Sequence, residues 1–360
     1  MKTVKIILLV LALTFTTSCR TYYYRMITSL YSNGNSYREV YALGDSAFMA
    51  GNNLNNPFLF DLSQDWKVTR YDTAINRSIF GDEGKFNVRI SRETNSIEDY
   101  SKNIRCDSDL RSLAAPKESL VKKIRGFYTY YFLKVVYKKL PYEVAVPIGN
   151  YLSKEEQILW TQGGFDNYKT MTGSEMNDYL NEINDKAMKW YGRNIFEASL
   201  NCIKKHTENY DLDRDKENIF KKLTDHVKFD TININPRLIC NVLDSYYKTT
   251  YFSKLYNTDH EILDKDTEQT PFFKISNDVF SNDISYELVL PGKVLQTNAP
   301  VIRSDTLVWK VDGIRLLFDD YTLKAEYRVI NKWSFLLSGL LLIISIGSII
   351  GLIKRKKLRD

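Results

Sequence analysis

One stretch near the end of the chain constrains every other reading. Trp333 to Ile353 runs WSFLLSGLLLIISIGSIIGLI without a charged residue, and KRKKLRD follows at once. An α-helix rises about 1.5 Å per residue, so such a run matches the roughly 30 Å hydrocarbon core of a bilayer. Backbone buried in lipid must satisfy its hydrogen bonds internally, which a helix does and a lone strand does not. Lysine and arginine beside a span are retained in the cytoplasm. The sequence therefore predicts a transmembrane helix over 333–353, a cytoplasmic basic tail over 354–360, and a main domain across the membrane from that tail.

The N-terminus supplies the matching half. MKTVKIILLVLALTFTTSC opens on Lys2 and Lys5, continues through an apolar run from Val4 to Leu13, and turns to small residues before Cys19. Basic, then apolar, then small is the layout of a secretory signal peptide, and the run is short for a span. A signal peptide is expected over 1–18. Cys19 directly after Thr16-Thr17-Ser18 resembles a lipoprotein processing site, with Thr16 in place of the usual aliphatic residue. Cys19 is thus the candidate lipidation site; ordinary cleavage and an uncleaved anchor are the alternatives. The expected address is the inner membrane, with residues 19–332 in the periplasm.

Net charge follows the same topology. The chain carries +6; Lys2 and Lys5 account for two, and the five basic residues of the tail against Asp360 account for four, which leaves 20–353 neutral. The basic balance comes from the ends that flank apolar segments, so it argues for a membrane partner and against nucleic acid. With Cys19 assigned to the lipid, Cys106, Cys202 and Cys240 form an odd set in an oxidising compartment. Cys202 and Cys240 are the pair left for a bridge, against the plainer reading of Cys202 as a buried small hydrophobe on a helix stripe.

Three zones divide the exported region. From Thr21 to about Glu93 the pattern is strand-like. TYYYRMITSLY and SYREVYAL flank Ser32-Asn33-Gly34-Asn35, and Asn-Gly between β-rich runs predicts a hairpin with a type I′ turn. Phe58–Leu62, Trp66–Tyr71 and Phe86–Ser91 read as further strands. The middle zone, about 116–263, reads as mainly helical. Ser153 and Glu156 form a capping box. A longer helix starts near Ser174, with Ile183, Ala187, Trp190, Ala198 and Cys202 on one stripe, and a third runs from Pro236 to about Leu255. The last zone returns to strands at Ile284–Leu290, Thr306–Val311 and Tyr321–Ile330. The expected fold is α+β: an antiparallel sheet shared by N- and C-terminal strands, a mainly helical insertion, then the transmembrane helix.

Chemistry leaves few marks. Asp211-Leu-Asp213-Arg-Asp215 departs from a calcium loop, with Lys216 and Lys222 where glycine and glutamate belong, and reads as an acidic helix start. The three histidines are scattered, and no metal spacing, phosphate loop or nucleophile motif occurs. No catalytic, cofactor-binding or metal-ligating residue is expected. The aromatic run Phe127-Tyr128-Thr129-Tyr130-Tyr131-Phe132 reads as a core strand or helix. It is also the candidate partner contact, through Phe127, Tyr128, Tyr130 and Tyr131.

Three segments carry a resemblance: Arg125-Gly126-Phe127-Tyr128-Thr129-Tyr130-Tyr131; Tyr151 to Gln157 with Trp160 and Met171 to Glu175; and Leu290-Pro291-Gly292-Lys293-Val294 with Thr297-Asn298 and Trp309. Together they are similar to a group of membrane-anchored lipoproteins from Bacteroides-type bacteria. The last segment alone also resembles the strand–Pro-Gly–strand–Trp pattern of LppM-like membrane-attached domains. The resemblance implies placement and fold, and no chemistry. Two classes of function follow. One is a non-enzymatic envelope scaffold or binding protein beside the inner membrane, with another envelope protein as partner. The alternative is an envelope hydrolase acting on glycan or peptide through a carboxylate pair, whose members meet only in the fold.

Overall fold

Alternation of buried and exposed positions at period two builds strands both before and after the helices. The computed structural model describes residues 22–52, 55–80, 82–102, 104–107, 110–141, 143–163, 170–207, 210–226, 234–273 and 281–357. The expected signal peptide and Cys19 lie outside the described residues. β1 (Tyr22–Leu30) and β2 (Ser36–Ala42) form the predicted hairpin. Its loop differs from a type I′ turn, because only Gly34, at φ 103°, takes a positive φ there. The loop is longer than two residues, and Tyr31 N donates to Asn35 O across its neck (2.9 Å). β3 (Lys67–Ile79) and β4 (Asp82–Thr94) extend the sheet. Phe58–Leu62 is not a strand. It is irregular chain whose Phe58 and Phe60 are buried in the core, Phe60 lying 5.5 Å from Trp66.

β5 (Lys117–Arg125) and β6 (Tyr128–Tyr137) come next, followed by the helices, and then β7 (Asn282–Val289), β8 (Lys293–Thr297), β9 (Val301–Arg303), β10 (Thr306–Asp312) and β11 (Tyr321–Ile330). One sheet has seven strands in the order β3-β4-β2-β1-β7-β10-β9. Its two ends of chain meet at β1 and β7, which pair in parallel from Tyr22↔Asn282 to Ser29↔Val289. The shared sheet expected from the sequence is therefore present and mixed. A second sheet of four strands runs β5-β6-β11-β8.

Two expectations are corrected by that second sheet. β11 does not join the sheet of β1; a 3-10 turn at Ile314–Leu316 carries the chain across before β11 begins. Residues 117–137 are a β-hairpin, so the helical insertion begins at Lys154 and not near 116. The period of two was hidden in β6 because its outward positions hold Tyr128, Tyr130 and Phe132, which read as apolar.

The inner faces of the sheets meet in one core. Tyr24, Met26, Val40, Ile90 and Trp309 from the first sheet pack with Tyr131, Leu133, Val135, Leu323 and Tyr327 from the second. Trp309 is fully buried. Its Nε1 donates to Asn298 Oδ1 (3.1 Å), which also accepts from Lys324 N (2.8 Å), while Asn298 Nδ2 donates to Thr322 O (2.7 Å). One asparagine thus ties the β8–β9 connection to both sheets. Gly292 sits in the preceding connection, between β7 and β8: a Cβ there would enter the space of the Arg328 carbonyl oxygen. Gly292→Ala is expected to cost about 1–3 kcal/mol by overpacking, read as a lowered Tm. An unchanged Tm would show that β8 can move away from β11.

Helices fill the chain between β6 and β7, after two short turns, α1 (Ser46–Met49) and α2 (Arg111–Ala114), in the N-terminal region. α3 (Lys154–Gln162) begins on the Ser153–Glu156 capping box, and α4 (Gly173–Lys204) on a second one, Thr172–Glu175. α5 (Leu212–His226) is capped by Asp211 Oδ1, which accepts from Arg214 N (3.1 Å). The expected single helix from Pro236 to Leu255 is two, α6 (Pro236–Tyr247) and α7 (Tyr251–Glu268). Lys248 breaks it in the left-handed region (φ 54°), and the Asp244 carboxylate accepts from Phe252 N and Ser253 N at the start of α7 (2.9 and 3.0 Å).

Ile195, Phe196, Leu223, Ile239, Leu243 and Phe252 give this layer its own core. It meets the sandwich where Trp190 packs edge-on against Phe318, with centroids 5.4 Å apart. Cys202 and Cys240 form no bridge: both are buried free thiols, and burial pushes that of Cys240 up to about 12. The fold is α+β, and α8 (Lys332–Lys357) leaves it one residue after β11.

Candidate functional site

The aromatic run is a strand whose two faces do different things. In β6 the burial pattern alternates, so Thr129 and Tyr131 point into the core while Tyr128, Tyr130 and Phe132 lie half-buried on the outward face. Tyr131 is 1% exposed, stacks on Tyr327 at 4.9 Å, and donates its hydroxyl to Ser32 O (2.8 Å). Phe127, 42% exposed, sits in the hairpin turn. Of the four residues singled out by sequence, Tyr131 is therefore core, and Phe127, Tyr128 and Tyr130 are available at the surface.

The turn is built to be tight. β5 and β6 close at Arg125↔Tyr128, leaving Gly126 and Phe127 as a two-residue loop, and Gly126 takes φ 55°. Glycine accepts such a φ without a Cβ clash, which is why it occupies this turn position. That loop is latched to the start of α8. Asn331 donates from Nδ2 to Gly126 O (2.9 Å) and from its backbone to Phe127 O (2.8 Å), and its Oδ1 accepts from Thr129 Oγ1 (2.6 Å). Ser334 Oγ donates to the same Gly126 oxygen (2.9 Å), and Phe127 packs on Phe335 at 4.7 Å. Asn331 and Ser334 are buried by these contacts.

Basic side chains cluster around the latch. Lys122, Lys123 and Arg125 are exposed at the end of β5. Lys123 lies 5.3 Å from the Phe132 ring, Arg125 5.5 Å from Tyr130 and Arg328 4.4 Å from Tyr128. Cations over ring faces gain from the quadrupole and keep outward N–H donors for another ligand. The result is an aromatic and basic surface continuous with the first turn of α8. Sequence reasoning missed the basic half, because a neutral total over 20–353 conceals a local excess.

A second concavity lies elsewhere, away from the aromatic run. It is an open cleft of about 390 Å³ lined by Val146, Asn150, Tyr151, Arg193, Glu197 and Glu217, among others. Asn194 holds its wall by pairing with the Val146 backbone in both directions, donating to the carbonyl (3.2 Å) and accepting from the amide (3.0 Å). The charged groups in it are tied to one another. Arg193 bonds Glu197 and both oxygens of Glu217, and Lys216 reaches Glu197 (3.1 Å). The Arg193 hydrogen bond holds the Glu217 carboxyl below the usual range. A general acid at neutral pH needs the opposite shift, so Glu217 is a poor candidate for the acid of a carboxylate pair.

No protein-family model matches the chain, and no curated protein matches it. Among solved structures, the folded domain of LppM from Mycobacterium tuberculosis, determined by NMR, is similar over 88% of this chain and 94% of its own. The identity is 9% and the TM-score 0.28, and a likeness of that size carries no argument about fold or function.

Proposed function

We propose that the protein is a single-span membrane protein of the cell envelope whose exported sandwich serves as a non-enzymatic scaffold or binding module. The observation that carries this reading is the surface of α8. Over Lys332–Gly351 its mean hydropathy is 2.2, and 6% of it is buried against the rest of the chain. Leu336, Leu342 and Ile343 are 76, 63 and 69% exposed. Apolar surface left in water costs about 25 cal/mol per Å², and exposed patches of this extent mark a contact with membrane or protein. A hydrocarbon core of matching thickness removes that cost along the whole helix.

Lipidation of Cys19 would supply a second tether at the other end of the exported region. A lipoprotein cysteine carries two or more acyl chains, which anchor stably where one alone binds marginally, though less irreversibly than a spanning helix. The address that follows is the inner membrane with the sandwich in the periplasm, beside another envelope protein whose contact is the outward aromatic face of Tyr128 and Tyr130. The tied charges of the polar cleft and the ion-paired state of Glu217 favour a binding role over hydrolysis.

Fractionation tests the anchoring. Cys19→Ala is expected to abolish fatty-acid labelling while the chain stays in the membrane after an alkaline wash. Truncation before Lys332 should free the protein only when Cys19 is also replaced. Full-length Cys19→Ala recovered in the soluble periplasm would contradict the reading.

A further inference from the structure

We infer that the tip of the β5–β6 hairpin is a second membrane contact, which takes the anionic headgroups of the leaflet that α8 enters. The inference rests on α8 being a span, and it follows from where the latch holds the tip. Gly126 and Phe127 are fixed to Asn331, Ser334 and Phe335 by hydrogen bonds and ring packing. Those residues are the one before the apolar helix and two of its first turn. A bilayer that begins at Lys332 and Trp333 therefore meets the hairpin tip at the same depth, whatever the rest of the domain does.

Side-chain chemistry at the tip suits that depth. Ile124, Phe127 and Trp333 are 61, 42 and 56% exposed on one end of the molecule. Apolar and aromatic groups of this kind settle at the headgroup level, where rings form the interfacial belt. Around them stand Lys122, Lys123, Arg125 and Arg328. None of the four forms an ion pair among the described residues; each lies over a tyrosine or phenylalanine ring instead. Four uncompensated cations fixed beside an entering helix are complementary to lipid phosphates and anionic headgroups. A protein partner would need an acidic surface able to fit between the sheet end and the membrane. A lipid surface is already beside the tip, because α8 follows β11 after one residue.

One consequence concerns posture. With the tip in the interface, β6 runs away from the membrane, and its ten residues place Tyr137 about 30 Å from the tip. The outward face of Tyr128, Tyr130 and Phe132 then starts at the tip that meets the membrane.

The test uses the full chain reconstituted into vesicles, either of zwitterionic lipid or doped with phosphatidylglycerol, with a quencher carried on the lipid headgroup. A fluorophore is placed by Ile124→Cys at the tip or by Lys138→Cys at the far end of β6, each in a Cys106→Ser background. Quenching several-fold stronger at 124 than at 138 is expected, with a further rise in the anionic vesicles. Changing Lys122, Lys123 and Arg125 to Gln should remove that rise while circular dichroism stays unchanged. Equal quenching at the two sites in a chain that resists alkaline extraction would overturn the inference and leave the spanning reading standing. Equal quenching in the two lipid compositions would overturn the assignment of anionic headgroups. Release of the unlabelled chain by alkali would sink the spanning reading, and the inference with it.

Discussion

Glu118→Ala is expected to destabilise the sandwich by about 3–5 kcal/mol. Glu118 on β5 and Arg38 on β2 join the two sheets through the core, with side chains 0 and 3% exposed. Arg38 Nη2 and Nη1 reach the two carboxylate oxygens at 2.5 and 3.1 Å. The remaining capacity is satisfied as well. Tyr286 and Ser101 hydroxyls donate to Glu118 (both 3.2 Å), Arg38 Nε donates to Thr28 Oγ1 (2.9 Å), and the guanidinium lies 4.1 Å from the Tyr100 ring. Removing the carboxylate leaves a guanidinium stranded in a dry core, which is why the cost exceeds the worth of the bond itself. The paired replacement Arg38→Met with Glu118→Leu should recover most of the loss, because an apolar pair leaves no charge to strand. Denaturant titration of the two variants beside the unaltered protein checks this. A mild effect from Glu118→Ala alone would mean that water reaches the site.

The second large effect separates two adjacent tyrosines. Tyr131→Ala should cost about 3–5 kcal/mol, the range for emptying a large aromatic site in a core. It removes a fully buried ring stacked on Tyr327 and a hydroxyl bonded to Ser32 O. Tyr130→Ala, on the opposite face of the same strand, should cost about 1 kcal/mol or less, the worth of a surface ring over Arg125. Thermal unfolding of the two variants gives the contrast directly. If Tyr130 also holds another envelope protein, its replacement should abolish a crosslink in the native envelope while the fold survives. Comparable destabilisation by both would mean that the outward face is covered within the chain.

Particular residues explain what could be read in advance. The bounds of β11 were legible because Tyr321, Leu323, Ala325 and Tyr327 alternate with Thr322, Lys324 and Glu326, a clean period of two. Its sheet was not, because period fixes the face of a strand and says nothing about its neighbours. Ser153 and Glu156 announced a helix start, and Thr172 and Glu175 carried the same signal unnoticed. β6 was misplaced because tyrosine serves both faces of a strand.

The ion pair at the centre of the core did leave a trace. In β2, Arg38 shares its parity with Val40 and Ala42, and in β5 Glu118 shares its parity with Leu120, so each charge stands at an inward position. A charge at an inward strand position calls for a partner, and these two are 80 residues apart. The latch left no comparable trace, because Asn331 is an ordinary polar residue until the hairpin turn reaches it.

The central claim, that α8 is a span with the sandwich on the far side of the membrane, is tested most directly by reporter fusions. Alkaline phosphatase folds actively only outside the cytoplasm. Fused after Ile330 it should be active, because the N-terminal segment exports everything before the helix. Fused after Asp360 it should be inactive, because α8 halts transfer and the basic tail stays inside. Activity after Asp360, or none after Ile330, would contradict the account.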